Sequence, residues 1–136
     1  IFLDEVAVQS RGGRADGNAA LARHAEVLAG GAPLVFNYGV TPEGTLTGAP
    51  ESWSFCTVEN TATEFMASRE PMRPSGQAAA LLHHAPELGS PAFGKMLQLA
   101  RARGAAWIFP LNKADWHHAP DPGWFRGVFK AIAEFR

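Results

Sequence analysis

Apolar positions along this chain fall into short, nearly continuous runs separated by stretches with helical spacing. The opening "IFLDEV" reads as a short buried strand, and "PLVFNYGV", "WSFCTVEN", "QAAALLHH" and "AAWIFPLN" read as four more. The run of alanines leaves the fourth least determined, because it would suit a helix equally. Period-two alternation puts Trp53, Phe55, Thr57 and Glu59 on one face of the third strand and Cys56 on the other. Helices are expected in between. Asp16 or Asn18 can cap one over Ala19 to Ala29, with Leu21, Ala25 and Leu28 on one side and Gly30-Gly31 as its stop. Thr61 and Glu64 form a capping-box pattern that opens a short helix running to about Arg69. Ser90-Pro91 starts a helix that aligns Phe93, Leu97 and Ala100 and closes at Gly104. Asp121-Pro122 starts the last, with Phe125, Val128, Phe129 and Ile132 in helical register.

Apolar strands alternating with amphipathic helices predict an α/β fold built on a parallel sheet. A length of 136 residues fits one domain, residues 1–136. An open sheet of five strands would be complete at this size, whereas a (β/α)8 barrel needs eight strands and about 250 residues. The abrupt start on a strand favours a barrel without its first strands. In parallel sheets of either kind, ligands and chemistry gather at the C-terminal strand ends. The polar residues fall there: Asp4 and Glu5, Asn37, Glu59, His83 and His84, Asn112 and Lys113.

The acids carry the most chemistry. Burying a carboxylate at a sheet end is costly unless it is paired or hydrogen-bonded. The bland reading has Asp4 capping a turn and Glu59 paired with a lysine or arginine. Acids at two strand tips, two strands apart, fit a working pair better. Two carboxylates across a cleft suffice for glycoside hydrolysis: one protonates the leaving oxygen, and the other attacks the sugar or activates water. An apolar wall such as Phe55 or Trp53 would keep the acid protonated.

Composition narrows the classes. A net charge of −1 gives no electrostatic footprint for nucleic acid. No apolar run approaches the roughly 20 residues of a membrane span. One cysteine, Cys56, excludes an internal disulfide, and its strand position reads as a buried thiol. No signal-peptide pattern is visible. "IFLDE" resembles a Walker B strand and "LNKADW" holds an N-K-x-D string, but no P-loop is present, which leaves a nucleotide-binding fragment as a minor alternative. The adjacent pairs His83-His84 and His117-His118 lack the helical i, i+4 spacing of a zinc site, so no metal or other cofactor is expected. One of His83 and His84 lines the mouth while the other packs against helices, and His84 is carried as the contact. His24 reads as a surface residue. Trp116 and Trp124 flank the last loop, each readable as a sugar platform or as a lid on the core.

The order of these motifs, from "IFLDEV" through "LVFNYG", "CTVEN", "AAALLHH" and "GAAWIFPLN" to "PGWFRGVFKAI", resembles the spherulation-specific family 4 (spherulin-4-like) proteins over nearly the whole chain. The resemblance implies a (β/α)8 barrel of which this chain matches about strands 4 to 8 with their helices. It implies a glycoside hydrolase cleaving α-1,4-linked galactosamine or N-acetylgalactosamine polymers, secreted or at the cell surface. It maps the catalytic acids onto Asp4 as nucleophile or charge stabiliser, Glu59 as proton donor and Glu5 as a positioning or substrate-contacting group. Asn37, Tyr38, His84, Asn112 and Trp116 are the expected substrate contacts. A separation of about 5–5.5 Å between the Asp4 and Glu59 carboxyls would indicate retention, and about 6.5–9.5 Å inversion. Two departures, Tyr38 in place of the family's proline and the tip "LNKADWHH", keep a non-catalytic carbohydrate-binding barrel open as the alternative. Five barrel strands alone would leave two unpaired edges, which predicts self-association.

Overall fold

The computed structural model describes residues 2–3, 23–28, 30–32, 34–40, 50–73, 75–113 and 122–134. Asp4, Glu5, Trp116 and the second histidine pair, His117-His118, lie outside them, as do both expected caps of the first helix. The described residues form a five-stranded, all-parallel sheet in sequential order. The strands are β1 (Phe2–Leu3), β2 (Leu34–Asn37), β3 (Trp53–Thr61), β4 (Ala78–His83) and β5 (Ala105–Pro110). Helical residues 23–28 (α1) precede β2. Helices α2 (Ala62–Ala67) and α3 (Pro91–Ala102) follow β3 and β4, and α4 (Pro122–Glu134) follows β5.

All four described helices lie against one face of the sheet. The register row Phe36–Phe55–Ala78–Ala105 marks that face. At one end Ala25 of α1 packs with Leu34, Phe36 and Phe55. At the other, Ala78, Ala80 and Leu82 meet Phe65 of α2, Phe93, Met96, Leu97 and Ala100 of α3, and Trp124 and Val128 of α4. The opposite, inner face carries its own buried cluster of Cys56, Ala79, Leu81 and Leu111, with Val35 and Phe109 against it. β4 is therefore buried on both sides, and tertiary burial overrides the helical preference of its alanines.

Local sequence explains the helix ends. The Thr61 hydroxyl accepts from the Glu64 amide at 3.2 Å, and the Glu64 carboxylate accepts from the Thr61 amide at 3.3 Å, completing the capping box. A further bond from the Thr61 hydroxyl, then the amide bond, hold the Glu64 carboxyl below its usual range. The Ser90 hydroxyl caps α3 through the Phe93 amide at 3.1 Å, with Pro91 in the first turn. Arg103 closes α3 by donating to the carbonyls of Phe65 and Ser68 while its guanidinium lies 4.6 Å from the Phe65 ring centre.

Three expected faces are corrected. On α4 the buried stripe is Trp124 and Val128, whereas Phe125 and Phe129 stack on each other outside it, with Phe129 69% exposed. The Trp124 indole donates to the Pro110 carbonyl at 3.0 Å and meets Phe93 edge-on, which makes it core. On α1, Ala25 is buried but Leu28 is exposed. The third correction is in β3. Its pairing to β4 runs Cys56 with Ala79 but Val58 with Ala80, so Thr57 is an extra residue in a bulge. Paired residues of neighbouring strands share a face. Glu59, paired with Leu81, thus lies on the same inner face as Cys56, away from Trp53 and Phe55.

Gly104 ends the turn after α3 at φ +86°, and a Cβ there would collide with the Ser75 side chain, whose own Cβ would stand at 3.1 Å. Gly104→Ala is expected to lower unfolding free energy by about 2 kcal/mol, from left-handed strain plus the clash. Chemical denaturation of variant and wild type checks this.

Candidate functional site

Three side chains converge at the C-terminal ends of β2, β3 and β4. Asn37, 5% exposed, donates through Nδ2 to Glu59 Oε2 at 3.0 Å. Its Oδ1 accepts from the Gly39 amide at 3.0 Å, which fixes the amide's orientation. His83, 13% exposed in its side chain, places Nε2 3.6 Å from Glu59 Oε1. The two Glu59 oxygens are therefore approached from the strands on either side.

The backbone around this group is cross-linked. The amides of Tyr38 and Gly39 both donate to the Cys56 carbonyl, at 2.9 and 3.1 Å, and the Glu59 amide donates to the Gly39 carbonyl at 3.1 Å. These bonds bind the end of β2 to both sides of the Thr57 bulge. Gly39 sits at φ +69°, and a Cβ there would stand 3.7 Å from Glu59 Oε2. Glycine supplies the left-handed turn and leaves room beside the carboxylate.

The expected site residues divide. Glu59 and Asn37 are brought together on the inner face. Tyr38 is not with them: its ring lies 6.3 Å from Phe55 in the α1-side cluster, and burial raises its phenol above the usual range. His84 is exposed at φ +50°, with its amide donating to the Lys113 carbonyl. Its neighbour His83 faces Glu59 instead and does not pack against the helices. Asn112 is exposed beyond the end of β5. Asp4, Glu5 and Trp116 fall outside the described residues, although Asp4 directly follows Leu3, whose partner Phe36 precedes Asn37. The apolar wall expected from Phe55 and Trp53 faces α1 and does not border the Glu59 carboxyl.

Sequence reasoning missed that His83 faces Glu59 and that Cys56 and Glu59 share a face. For His83 the signal was parity. It lies two and four residues after Leu81 and Ala79, so whichever face these take, His83 takes too. The bulge at Thr57 had no signal, since neither glycine nor proline marks it. Among the described residues no group of three or more His, Cys, Asp or Glu side chains is placed to hold a metal ion. No described helix is long and apolar enough to cross a membrane.

No protein-family profile and no curated protein matches this chain. Among solved structures it is similar to the crystal structure of Aspergillus clavatus Sph3 in complex with GalNAc. The TM-score is 0.62 at 19% identity, over 97% of this chain and 56% of that one. The chain thus spans little more than half the length of that structure. At this identity the likeness establishes the fold, a parallel α/β sheet with its helices.

Two outcomes follow from the geometry. Tyr38 is the one tyrosine in the sequence, so tyrosinate absorbance reports it alone. Its midpoint should lie above 10 in the folded chain and return to about 10 in denaturant. A phenol with a raised folded pKa loses its stability contribution as pH rises through that value, so unfolding should become easier there. Asn37→Asp would set a second carboxyl against Glu59, and one of the pair would keep its proton to higher pH. That group's folded pKa lies above its unfolded value, so its contribution is present at low pH and lost as pH rises. The variant's deficit against wild type should grow by about 1–3 kcal/mol between about pH 4 and pH 8. Thermal unfolding across that range checks it.

Proposed function

We propose that this chain is the C-terminal part of a (β/α)8 glycoside hydrolase cleaving an amino-sugar polymer of the α-1,4-linked galactosamine or N-acetylgalactosamine type. Glu59 is the proton donor, Asp4 the nucleophile or charge-stabilising acid, and Glu5 a positioning group. The observation that carries this reading is Glu59 itself. It stands at the C-terminal end of a parallel strand, turned inward by a bulge and held by Asn37 on one oxygen. Spending a bulge and a buried amide on one carboxylate suits a carboxylate that does chemistry. The bound GalNAc of the similar structure supports the sugar class.

The barrel is supported by the sheet. Strand order is sequential and all the described helices lie on one face, as barrel winding requires. A doubly wound nucleotide-binding sheet reverses its order at a switch point and carries helices on both faces, so the arrangement disfavours the P-loop alternative. The open β5 end, with Trp107 49% exposed, is where the barrel's first strand would close. Left open, the same edge is the expected route to self-association. The sugar-binding alternative loses part of its motive, because Tyr38 is absorbed on the α1 side and leaves Asn37 and Glu59 in place.

Glu59→Gln and Asp4→Asn in the full-length protein should each reduce reducing-end release from α-1,4-galactosaminan by about 10²- to 10⁴-fold with unchanged circular dichroism. Near-normal turnover in both variants would remove the assignment. Polymer binding without any reducing ends released by wild type would favour the non-catalytic barrel.

A further inference from the structure

We propose that His83 is the positioning residue of the Glu59 acid, an inference that rests on Glu59 being the proton donor. The two side chains come from adjacent strands with their faces fixed by register: Glu59 pairs with Leu81, and His83 pairs with Thr61 one alternation further on. The imidazole Nε2 stands 3.6 Å from Glu59 Oε1, while Asn37 Nδ2 holds Oε2 at 3.0 Å. The first distance is within ion-pair range but longer than a formed hydrogen bond. Nδ1, the other polar atom of the ring, is buried without a hydrogen-bond partner. Among the described residues the ring's polar contact is therefore with Glu59 alone, and nothing on the Nδ1 side competes to turn it.

Among the described residues the other charged groups nearby are engaged or turned away, and Asp4 and Glu5 lie outside them. Glu64 is tied to Thr61, and Arg103 to the carbonyls of Phe65 and Ser68. His84, Asn112 and Lys113 are exposed past the strand ends. Phe109 of β5 and Leu111 just beyond it, both in the inner-face cluster, are apolar, and Tyr38 points to the α1 side.

This arrangement matters at the moment of bond cleavage. The Glu59 proton moves to the glycosidic oxygen as the C–O bond breaks and its electron pair leaves with that oxygen. Glu59 is left as a carboxylate, with one charge more negative than before. The Nε2–H of His83 then has an anionic acceptor and closes the gap, so the carboxylate is held at both oxygens. Water then bonds through its oxygen to the anomeric carbon and gives up a proton to Glu59, which resets the pair.

Two measurements on the full-length protein test this. His83 can be identified among the five histidines by its absence from the spectrum of His83→Gln. Its ring resonances, followed by NMR, should move in Glu59→Gln, because the carboxylate facing Nε2 at 3.6 Å is removed. Ring resonances that stay in place would overturn the pairing whether or not the protein cleaves sugar. Kinetically, His83→Ala should lower kcat about tenfold with KM little changed, and His83→Gln, which keeps an N–H donor, should recover most of that loss. A kcat of His83→Ala equal to wild type, or no recovery in His83→Gln, would refute the positioning role. Moved ring resonances in a protein that releases no reducing ends would uphold the pair and bring down the hydrolase reading instead.

Discussion

One extra residue in β3 decides what the sheet presents. Without the Thr57 bulge, strict alternation would aim Glu59 to the side of Trp53 and Phe55, into the layer occupied by helices. A carboxylate there would be desolvated among aromatic rings with its charge unpaired, a cost of several kcal/mol. The bulge reverses the face of everything after it. Val58 then joins the helix-side core, and Glu59 turns to the inner face between Asn37 and His83. The disruption is not free. Among the described residues the buried Thr57 hydroxyl has no hydrogen-bond partner, a cost of the sort that accumulates at functional positions. Two amides of the β2 end converge on the Cys56 carbonyl just before the bulge, and the Glu59 amide takes the Gly39 carbonyl just after it. Those bonds keep the extra residue from slipping along the strand.

The glycine in "FNYG" belongs to the same device. Gly39 turns left-handed after β2, which lets its amide reach both Asn37 Oδ1 and the Cys56 carbonyl. Asn37 Oδ1 is thereby committed to accepting, and Nδ2 is left to donate to Glu59. For the proton donor proposed at Glu59 a neutral amide is suited, because it leaves one oxygen for the proton while holding the other. A lysine in its place would lock the carboxylate. The Tyr38 ring, one residue along, spends its bulk on Phe55 instead of on the cleft.

Element types were readable because burial and punctuation agreed locally. Ser90-Pro91 and Gly104 bracketed α3, Thr61 and Glu64 marked α2, and the strands were short runs of apolar residues. Faces were less readable. The assignment of Trp53, Phe55, Thr57 and Glu59 to one side failed because period two holds only in an uninterrupted ladder, and no residue type marked this bulge. In α4 two phenylalanines outweighed Trp124 in the helical pattern, yet the tryptophan is the one whose indole finds the Pro110 carbonyl and the Phe93 edge. Which of His83 and His84 faces Glu59 was hidden for a related reason. A strand buried on both sides, such as "AAALLH", has no polar alternation to say which face is which. Only the pairing of Glu59 with Leu81 supplies that, and pairing is a tertiary fact.

The inner face carries an argument about architecture. Cys56, Ala79, Leu81 and Leu111 are buried, although α1 to α4 all pack on the opposite side. Among the described residues no helix covers that face. The barrel proposed above would bury the same residues with their own side chains, apolar below and polar at the rim. Asn37, Glu59 and His83 are the rim on three adjacent strands. The chain delivers Leu3 beside Phe36, and Phe36 leads directly into Asn37, so the polar end of β2 is set by the same register that seats β1. For the barrel proposed above, that register and the Thr57 bulge would together decide which polar side chains reach one rim.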